Sequence, residues 1–307
     1  MNFSEAKIEI ELLLSRVNPA ELPRLLDWMR NSDELDDVVL DNRKVILQNI
    51  SEELRDALPL EAVLPSEARA RHQTQQQPRP TLHVDGFLYD EDQVESLCSE
   101  GKLSRTYCVS CGSCRTAPLD FISHSFSISE LQFLFQNVLP DLSGRMLLDV
   151  GSRLGAVLYG GYLYSSAARL VGVEISEEFV KLQNATVEKY GFSDRVQVLH
   201  ADVCSQEVLL QNTDVLVMNN VFEYFMEPSD QIKAWSFIFH HFRKKGSLLL
   251  TVPSLQEALS KLQNAAFCLV TAEPPGWLEE VPLDYDVYLS RDSDPDALRQ
   301  IHLYRIT

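Results

Sequence analysis

Acidic and small residues recur where apolar runs end in the middle of the sequence. The first such run, Met146–Val150, contains Asp149 and leads into a turn with Gly151 and Gly155. Glycine has no Cβ, so a strand that enters a glycine turn and then a helix lets the backbone approach a ligand closely. Many doubly wound α/β folds contain such a turn, and the order of the features behind it carries the interpretation.

Further carboxylates and amides follow the later apolar runs. Glu174 ends the second run, where a Rossmann-type sheet places the acid that accepts hydrogen bonds from a ribose diol. Asp202 follows the third run, Asn219 and Asn220 end the fourth, and Glu223 lies just behind them. Because ligands in open α/β sheets bind at the carboxyl ends of the strands, these side chains are predicted to share one cavity at that edge.

This ordered series resembles the class I S-adenosylmethionine (SAM) methyltransferases, of the type-11-like group. Asn220, Glu223 and Tyr224 match that group's Asn-x-x-Glu-His element, and Lys244–Ser247 matches its later Lys-Pro-Gly-Gly turn. The resemblance implies a SAM-dependent methyltransferase and an α/β fold: a doubly wound, mostly parallel seven-stranded sheet with a terminal antiparallel hairpin and a helical N-terminal appendage. We expect the hairpin strands at Tyr285–Leu289 and Ile301–Ile306.

The resemblance also implies how SAM would be held. The glycine turn would approach the methionyl part and the ribose, and Asp149 would orient the turn or meet the ammonium group through water. Glu174 would accept from the ribose hydroxyls, and Asp202 would accept from the adenine amino group. The implied cofactor residues are Asp149, Gly151, Ser152, Arg153, Gly155, Glu174, Ile175, Asp202, Val203 and Asn219.

Arg153 departs from the family pattern, because it stands where the usual Asp-x-Gly-x-Gly-x-Gly turn has its middle glycine. Three alternatives are open: its side chain narrows the pocket, points outward, or pairs with the carboxylate of SAM. The first alternative leads to a rival function. The chain would then be a methyltransferase-like regulator that binds SAM, or nothing, and acts through partners.

Methyl transfer is an in-line displacement, for which a protein supplies proximity, orientation and a deprotonated nucleophile. The amides of Asn219 and Asn220 are candidate acceptors for an incoming N–H, Glu223 a candidate base or amine-orienting carboxylate, and Tyr224 a candidate donor or wall. Met218–Phe222 is similar to part of the sheet-based histone lysine methyltransferases of the telomeric-silencing type. That likeness suggests a protein lysine as the acceptor and leaves a small molecule open.

A nicotinamide-dependent oxidoreductase is a second rival, because it would share the glycine turn and the acid at Glu174. The Asp202 element, the Glu223–Tyr224 element and the expected terminal hairpin argue against it.

Four segments are predicted along the chain. Residues 1–64 have helical apolar spacing and form an appendage that packs or binds a protein partner; residues 65–81 are polar and read as a flexible linker. Residues 82–119 form a Cys-containing segment, and residues 120–307 form the methyltransferase domain. Within that domain Ser129 is expected to cap a helix, and His124 and Ser125 are candidates for lining the pocket.

The Cys-containing segment holds Cys108, Cys111 and Cys114 at the spacing of a zinc knuckle. Structural zinc takes four ligands, so Cys98, His83 or His124 would have to complete the site. Redox thiols and ordinary structural thiols are the alternatives.

The whole chain has 307 residues and a net charge of −18, from 45 acidic and 27 basic residues spread along its length. This balance argues against a nucleic-acid binder. No apolar run reaches the ~18–20 residues that a membrane-spanning helix needs. We expect an intracellular protein, cytoplasmic or nuclear.

Overall fold

A computed structural model describes residues 3–31, 35, 41–60, 62–64, 67, 81–109, 115–223, 225–262, 275–287 and 295–307. The chain divides into two compact units, Met1–Ile46 and Leu47–Thr307. The first contains helices α1 (Phe3–Arg16) and α2 (Leu22–Asn31), which have no buried residues. Helix α3 (Asn42–Ala57) begins in the first unit and has its buried residues in the second. The four segment boundaries drawn from the sequence stay predictions.

Short elements precede the central sheet of the second unit. Strand β1 (Thr81–His83) pairs in parallel with β4 (Asp120–Ile122), and β2 (Thr106–Cys108) pairs antiparallel with β3 (Thr116–Pro118). Helix α4 (Glu91–Ser99) lies between β1 and β2 along the chain. Helix α5 (Ile128–Phe133) follows β4 and continues as a π-helical turn, Leu134–Val138.

Helix α5 begins one residue after Ser127, so the expected cap at Ser129 was wrong. The Ser127 hydroxyl accepts from the backbone N–H of Glu130, and the Glu130 carboxylate accepts from the backbone N–H of Ser127. This reciprocal capping box requires the serine and the glutamate to be three residues apart, which Ser129 and Glu130 are not.

The central sheet has seven strands among the described residues. They are β5 (Met146–Val150), β6 (Arg169–Glu174), β7 (Val196–His200), β8 (Val215–Asn219), β9 (Leu248–Val252), β10 (Leu278–Val281) and β11 (His302–Ile306). Their order is β10-β11-β9-β8-β5-β6-β7, with β11 antiparallel to both neighbours and every other pair parallel. The predicted fold class is confirmed.

Helices alternate with the parallel strands, as the sequence pattern predicted. They are α6 (Ala156–Tyr164), α7 (Glu177–Lys189), α8 (Glu207–Asn212), α9 (Pro228–His241) and α10 (Leu255–Ser260); a short α11 (Pro295–Leu298) precedes β11. Gly161 in α6 packs closely on the sheet, because a Cβ there would lie 2.7 Å from a methyl group of Leu170 on β6. No helix among the described residues has both the length and the apolar content needed to cross a bilayer.

The edge pair β10–β11 is antiparallel, but its first strand is Leu278–Val281 instead of the predicted Tyr285–Leu289. Glu279 and Glu280 are exposed on β10. Edge strands commonly carry such charges, which is why a search for apolar alternation missed this strand. Tyr285 directly precedes a turn, and its hydroxyl donates to the Ile301 carbonyl at 2.8 Å; Tyr288 and Leu289 lie outside the described residues.

Candidate cofactor and methyl-transfer site

The residues singled out from the sequence lie at one edge of the sheet, because the parallel strands that carry them end there. Asp149 on β5 is opposite Gly172 on β6 and Val217 on β8. Glu174 is the last residue of β6, and Asn219 is the last residue of β8. The fold therefore brings two carboxylates and an amide from three adjacent strands to the same edge.

The glycine turn after β5 is closed by backbone hydrogen bonds to β6. The N–H groups of Gly151 and Ser152 both donate to the Val173 carbonyl, at 2.8 and 3.3 Å. Gly151 has φ +66° and Gly155 has φ +83°, a region that favours glycine. A Cβ on Gly151 would lie 3.1 Å from Cγ1 of Val221, so the loop after β8 packs directly against this turn.

Asp149 and Glu174 form a buried acidic pair. Burial raises the pKa of Asp149 well above its usual value, and the neighbouring Glu174 charge adds to that rise. Burial likewise raises the pKa of Glu174, although the carboxylate accepts from the backbone N–H groups of Ser176 and Arg153. A carboxylate has about four lone-pair sites, so Glu174 retains acceptor capacity for a ligand. The raised pKa values mean that burial disfavours the ionised form of both acids. A cationic ligand at this edge would stabilise that ionised form.

Arg153 has a left-handed backbone, φ +44°, and a buried side chain. Its guanidinium donates to three acceptors on preceding segments: the Ala62 carbonyl at 2.7 Å, Glu67 through Nε at 3.1 Å, and Asp85. It also lies over the Phe179 ring, 5.1 Å from the centroid. The side chain therefore lies among protein groups and does not extend into solvent.

The charge on Arg153 is balanced locally. Burial opposes that charge, but the carboxylates of Asp85 and Glu67 outweigh it and hold the pKa of the guanidinium above its usual value. The three side chains are 7%, 1% and 12% exposed for Arg153, Asp85 and Glu67. Sequence reasoning missed both acids, since they lie 68 and 86 residues before Arg153 and neither belongs to a recognisable motif.

The other proposed cofactor residues have contrasting environments. Ile175 is 70% exposed beside Glu174, so its side chain is free to form an apolar wall. Asp202 is exposed and caps the 3₁₀ turn Val203–Ser205, with Oδ1 accepting from the Cys204 N–H at 2.8 Å. Ser152, by contrast, is buried against Gly172: a Cβ on that glycine would lie 2.6 Å from the serine Oγ.

The proposed transfer residues follow β8. The backbone N–H of Asn220 donates to the Val252 carbonyl at 2.8 Å, and its side-chain amide lies 3.1 Å from Asn219 Oδ1 and 3.5 Å from the Ser123 carbonyl. Burial raises the pKa of Glu223. Tyr224 lies outside the described residues.

A small cavity lies beside these residues, between β8, β9 and helix α9. Its lining includes Asn220, Glu223 and Trp235, and is otherwise mostly apolar. The indole N–H of Trp235 is buried and has no hydrogen-bond partner among the described residues. This cavity therefore combines one acidic group and one N–H donor with apolar walls, next to the loop that contacts the glycine turn.

His124 and Ser125 lie beside the same loop. His124 Nε2 is 2.8 Å from Nδ1 of His83, and its ring lies 4.9 Å from that of Phe225. Burial lowers the pKa of His124 well below its usual value, and the charges of Arg153 and His83 lower it further. The Ser125 hydroxyl donates to Asp85 at 2.7 Å.

The proposed zinc site finds no support among the described residues, where no group of three or more His, Cys, Asp or Glu side chains could hold a metal ion. Cys108 is exposed, and Cys98 is half-buried. Cys111 and Cys114 lie outside the described residues, so the set of three thiolates predicted from the sequence is not visible as a cluster.

The residues present fit SAM, whose sulfonium and ammonium groups are cationic. Asp149 and Glu174 supply a buried acidic pair for those charges, and Ile175 supplies an exposed apolar surface. Gly151 and Gly155 have the positive φ angles that glycine tolerates, and the space that a Cβ would take at each is filled by Val221 and Tyr159 of the chain itself.

Comparison with known proteins gives a match over the same region. A family model described as a methyltransferase domain matches residues 148–250, which run from β5 to β9. No curated protein sequence matched the chain.

Solved structures with a similar chain path include three methyltransferases. A methyltransferase from Geobacter sulfurreducens is 16% identical, with a TM-score of 0.35, over 58% of this chain and 76% of its own. An RNA methyltransferase from Salinibacter ruber with S-adenosyl-L-homocysteine (SAH) is 17% identical, with a TM-score of 0.35, over 58% and 86%. An O-methyltransferase from Bacillus cereus with SAH is 14% identical, with a TM-score of 0.38, over 71% and 89%. At these values the neighbours assign no acceptor to this chain.

Proposed function

This chain carries a class I SAM-dependent methyltransferase domain, and from that premise we propose that it methylates a nucleophilic side chain, with a protein lysine as the favoured acceptor. The observation that carries the proposal is the acid-bearing cavity beside the loop that packs on the glycine turn. SAM would supply an electrophilic methyl group on its sulfonium, and the protein would have to supply the geometry.

For the cofactor, we propose that the two buried acids bind different parts of SAM. Glu174 would accept from the ribose hydroxyls with the lone pairs that Ser176 and Arg153 leave open. Asp149 would complement the ammonium group. On the adenine side, Ile175 would pack on the ring, and the second carboxylate oxygen of Asp202 would accept from the amino group.

For the acceptor, the lining of the cavity is the main argument. Its walls are mostly apolar and carry the carboxyl group of Glu223, which suits an apolar side chain that ends in an amine. Glu223 would orient the incoming amine or take its proton. A carboxyl group with a raised pKa is a better proton acceptor than an ordinary one, because it lies closer in pKa to the amine. Asn219 and Asn220 would accept from the N–H of the acceptor.

The rival proposal is a partner-acting protein whose cofactor site is closed. The buried side chain of Arg153 motivates this rival, but among the described residues its acceptors Ala62, Glu67 and Asp85 all belong to the segment that precedes the sheet. The exposed apolar residues of α1 and α2, among them Phe3, Leu13 and Trp28, suit a protein partner under either proposal.

The experiment is an unbiased methylation screen with isotope-labelled SAM on cell extract, comparing the unmodified chain with Asp149→Ala. Label transferred to lysine in proteins by the unmodified chain alone supports the proposal. Transfer to small molecules or nucleic acid corrects the acceptor. No transfer to any fraction, with SAM binding intact, favours the regulatory rival.

A further inference from the structure

Asp85 lies at the meeting point of the segments that surround the glycine turn. One of its oxygens, Oδ1, accepts from the N–H groups of Phe87 and Leu88, at 3.0 and 3.3 Å. The other, Oδ2, accepts from the Ser125 hydroxyl at 2.7 Å and from Nη1 of Arg153. The side chain of Asp85 is 1% exposed, and four hydrogen-bond donors surround its two oxygens.

Arg153 connects Asp85 with Glu174, the acid proposed to bind the ribose. Its guanidinium is bonded to Asp85, Glu67 and the Ala62 carbonyl, while its backbone N–H donates to Oε2 of Glu174 at 2.9 Å. One residue therefore connects a buried carboxylate on the preceding segment with a carboxylate at the end of β6. Arg153 has a left-handed backbone, φ +44°, which at a residue other than glycine is strained and persists only where the surroundings impose it.

We infer that Asp85 is a positioning residue for cofactor binding: through Arg153 it fixes the turn and the carboxylate of Glu174 in the orientation that a ribose requires. The inference rests on the proposed SAM site and adds to it a residue outside the region that the family model matches. The buried guanidinium, which from the sequence was a candidate for blocking the cofactor, is instead the link that orients its binding group.

The same geometry explains how Arg can replace the usual glycine. An unpaired arginine at this position would be free to move over the turn. Asp85 and Glu67 retain the side chain by charge-assisted hydrogen bonds from two directions, and the Ala62 carbonyl takes a third. The acids and the arginine thus form one unit, and the benefit of Asp85 to cofactor binding should exist only while residue 153 is an arginine.

The test is a double-mutant cycle on SAH affinity, measured by isothermal titration on the full chain, with the free energy of unfolding of each variant measured separately. The variants are Asp85→Asn, Arg153→Gly and the double variant. We expect Asp85→Asn to weaken SAH binding about tenfold in the arginine background, as the loss of a charge-assisted hydrogen bond predicts. In the glycine background the same change should alter affinity by less than about twofold.

Asp214→Asn is the control, because Asp214 is another carboxylate paired with a cation, Lys244, but it directly precedes β8 at the opposite edge of the sheet. It should leave SAH affinity unchanged. If Asp85→Asn fails to fold, Glu67→Gln replaces it, since Glu67 contacts the same guanidinium and is more exposed. A smaller weakening with the same dependence on Arg153 is then expected.

Equal weakening in both backgrounds would make Asp85 a merely structural residue and overturn the inference, as would unchanged or tighter SAH binding by Asp85→Asn. Absence of SAH binding by the unmodified chain is a different outcome: it overturns the proposed function itself, and this inference with it.

Discussion

The backbone N–H of Arg153 donates to the carboxylate of Glu174 at 2.9 Å, while the side chain of the same arginine is bonded to Asp85. The proposed ribose-binding acid is therefore oriented by a residue that the family pattern would make a glycine. A glycine would offer the same backbone N–H, but it would have no side chain through which the preceding segments could hold it. Cofactor binding in this protein should depend on residues far from the glycine turn in sequence.

Glu174→Gln should weaken SAH binding about tenfold or more, because an amide has one oxygen where the carboxylate has two and carries no charge. Isothermal titration measures the effect. Glu178→Gln, an exposed glutamate in the first turn of helix α7, is the matched control and should bind SAH as the unmodified chain does. Equal affinity of Glu174→Gln and the control would place the ribose elsewhere.

The affinity for SAM should fall on acidification at a higher pH than ordinary carboxylates would cause. Burial raises the pKa values of Asp149 and Glu174 above the usual 3.8 and 4.5, so protonation begins earlier as the pH falls. Each protonation removes a negative charge that the cationic cofactor needs. Titrations across the acidic range should show this decline, and Asp149→Asn should bind more weakly and show a shallower decline. A flat profile for the unmodified chain contradicts the assigned charges.

His124 should make the fold sensitive to mild acid. Its pKa is lowered well below 6.5 in the folded chain and returns to about 6.5 on unfolding, so the unfolded state binds more protons between those two values. The contribution of His124 to the free energy of unfolding therefore does not change with pH above about pH 6.5. It decreases as the pH falls from there towards the pKa of the folded state.

His124→Asn tests this contribution. The variant should lose about 1 kcal/mol at neutral pH with the hydrogen bond to His83, and should then show a smaller further loss on acidification. Denaturant unfolding at about pH 7.5 and about pH 5.5 gives both differences. If the variant loses as much free energy of unfolding on acidification as the unmodified chain does, other groups cause the acid sensitivity.

Zinc content is a direct test of the predicted knuckle. If Cys108, Cys111 and Cys114 bind zinc, the purified chain should contain close to one equivalent and Cys108→Ser should lose most of it, since structural zinc needs all its ligands. Cys98→Ser is a useful second thiol variant, because it separates a fourth ligand from a bystander. A zinc content near zero in the unmodified chain removes the knuckle hypothesis.

The sequence predicted the sheet because each parallel strand is a local pattern: an apolar run that ends in a functional residue, followed by a helix. The family and enzyme class drawn from those runs are confirmed by the match over residues 148–250. Strand β10 was missed because its two exposed glutamates interrupt the apolar alternation that predicts a strand. The cap at Ser127 was missed although its capping box is local, since a second serine two residues later offered a competing choice.

The environment of Arg153 could not be predicted in the same way. Its partners Glu67 and Asp85 are 86 and 68 residues away, and neither lies in a periodic segment or a motif. Only the three-dimensional arrangement brings them together. The sequence showed that a glycine was missing from the turn and gave three alternatives for the side chain, but the acids that decide among them were not recognisable.

The most direct measurement of the central claim is isothermal titration of the unmodified full chain with SAM, SAH and NAD, repeated with Asp149→Ala. We expect saturable binding of SAM and SAH at one site per chain, greatly weakened by Asp149→Ala, and no binding of NAD. Binding of neither SAM nor SAH, or binding of NAD alone, would contradict the central claim.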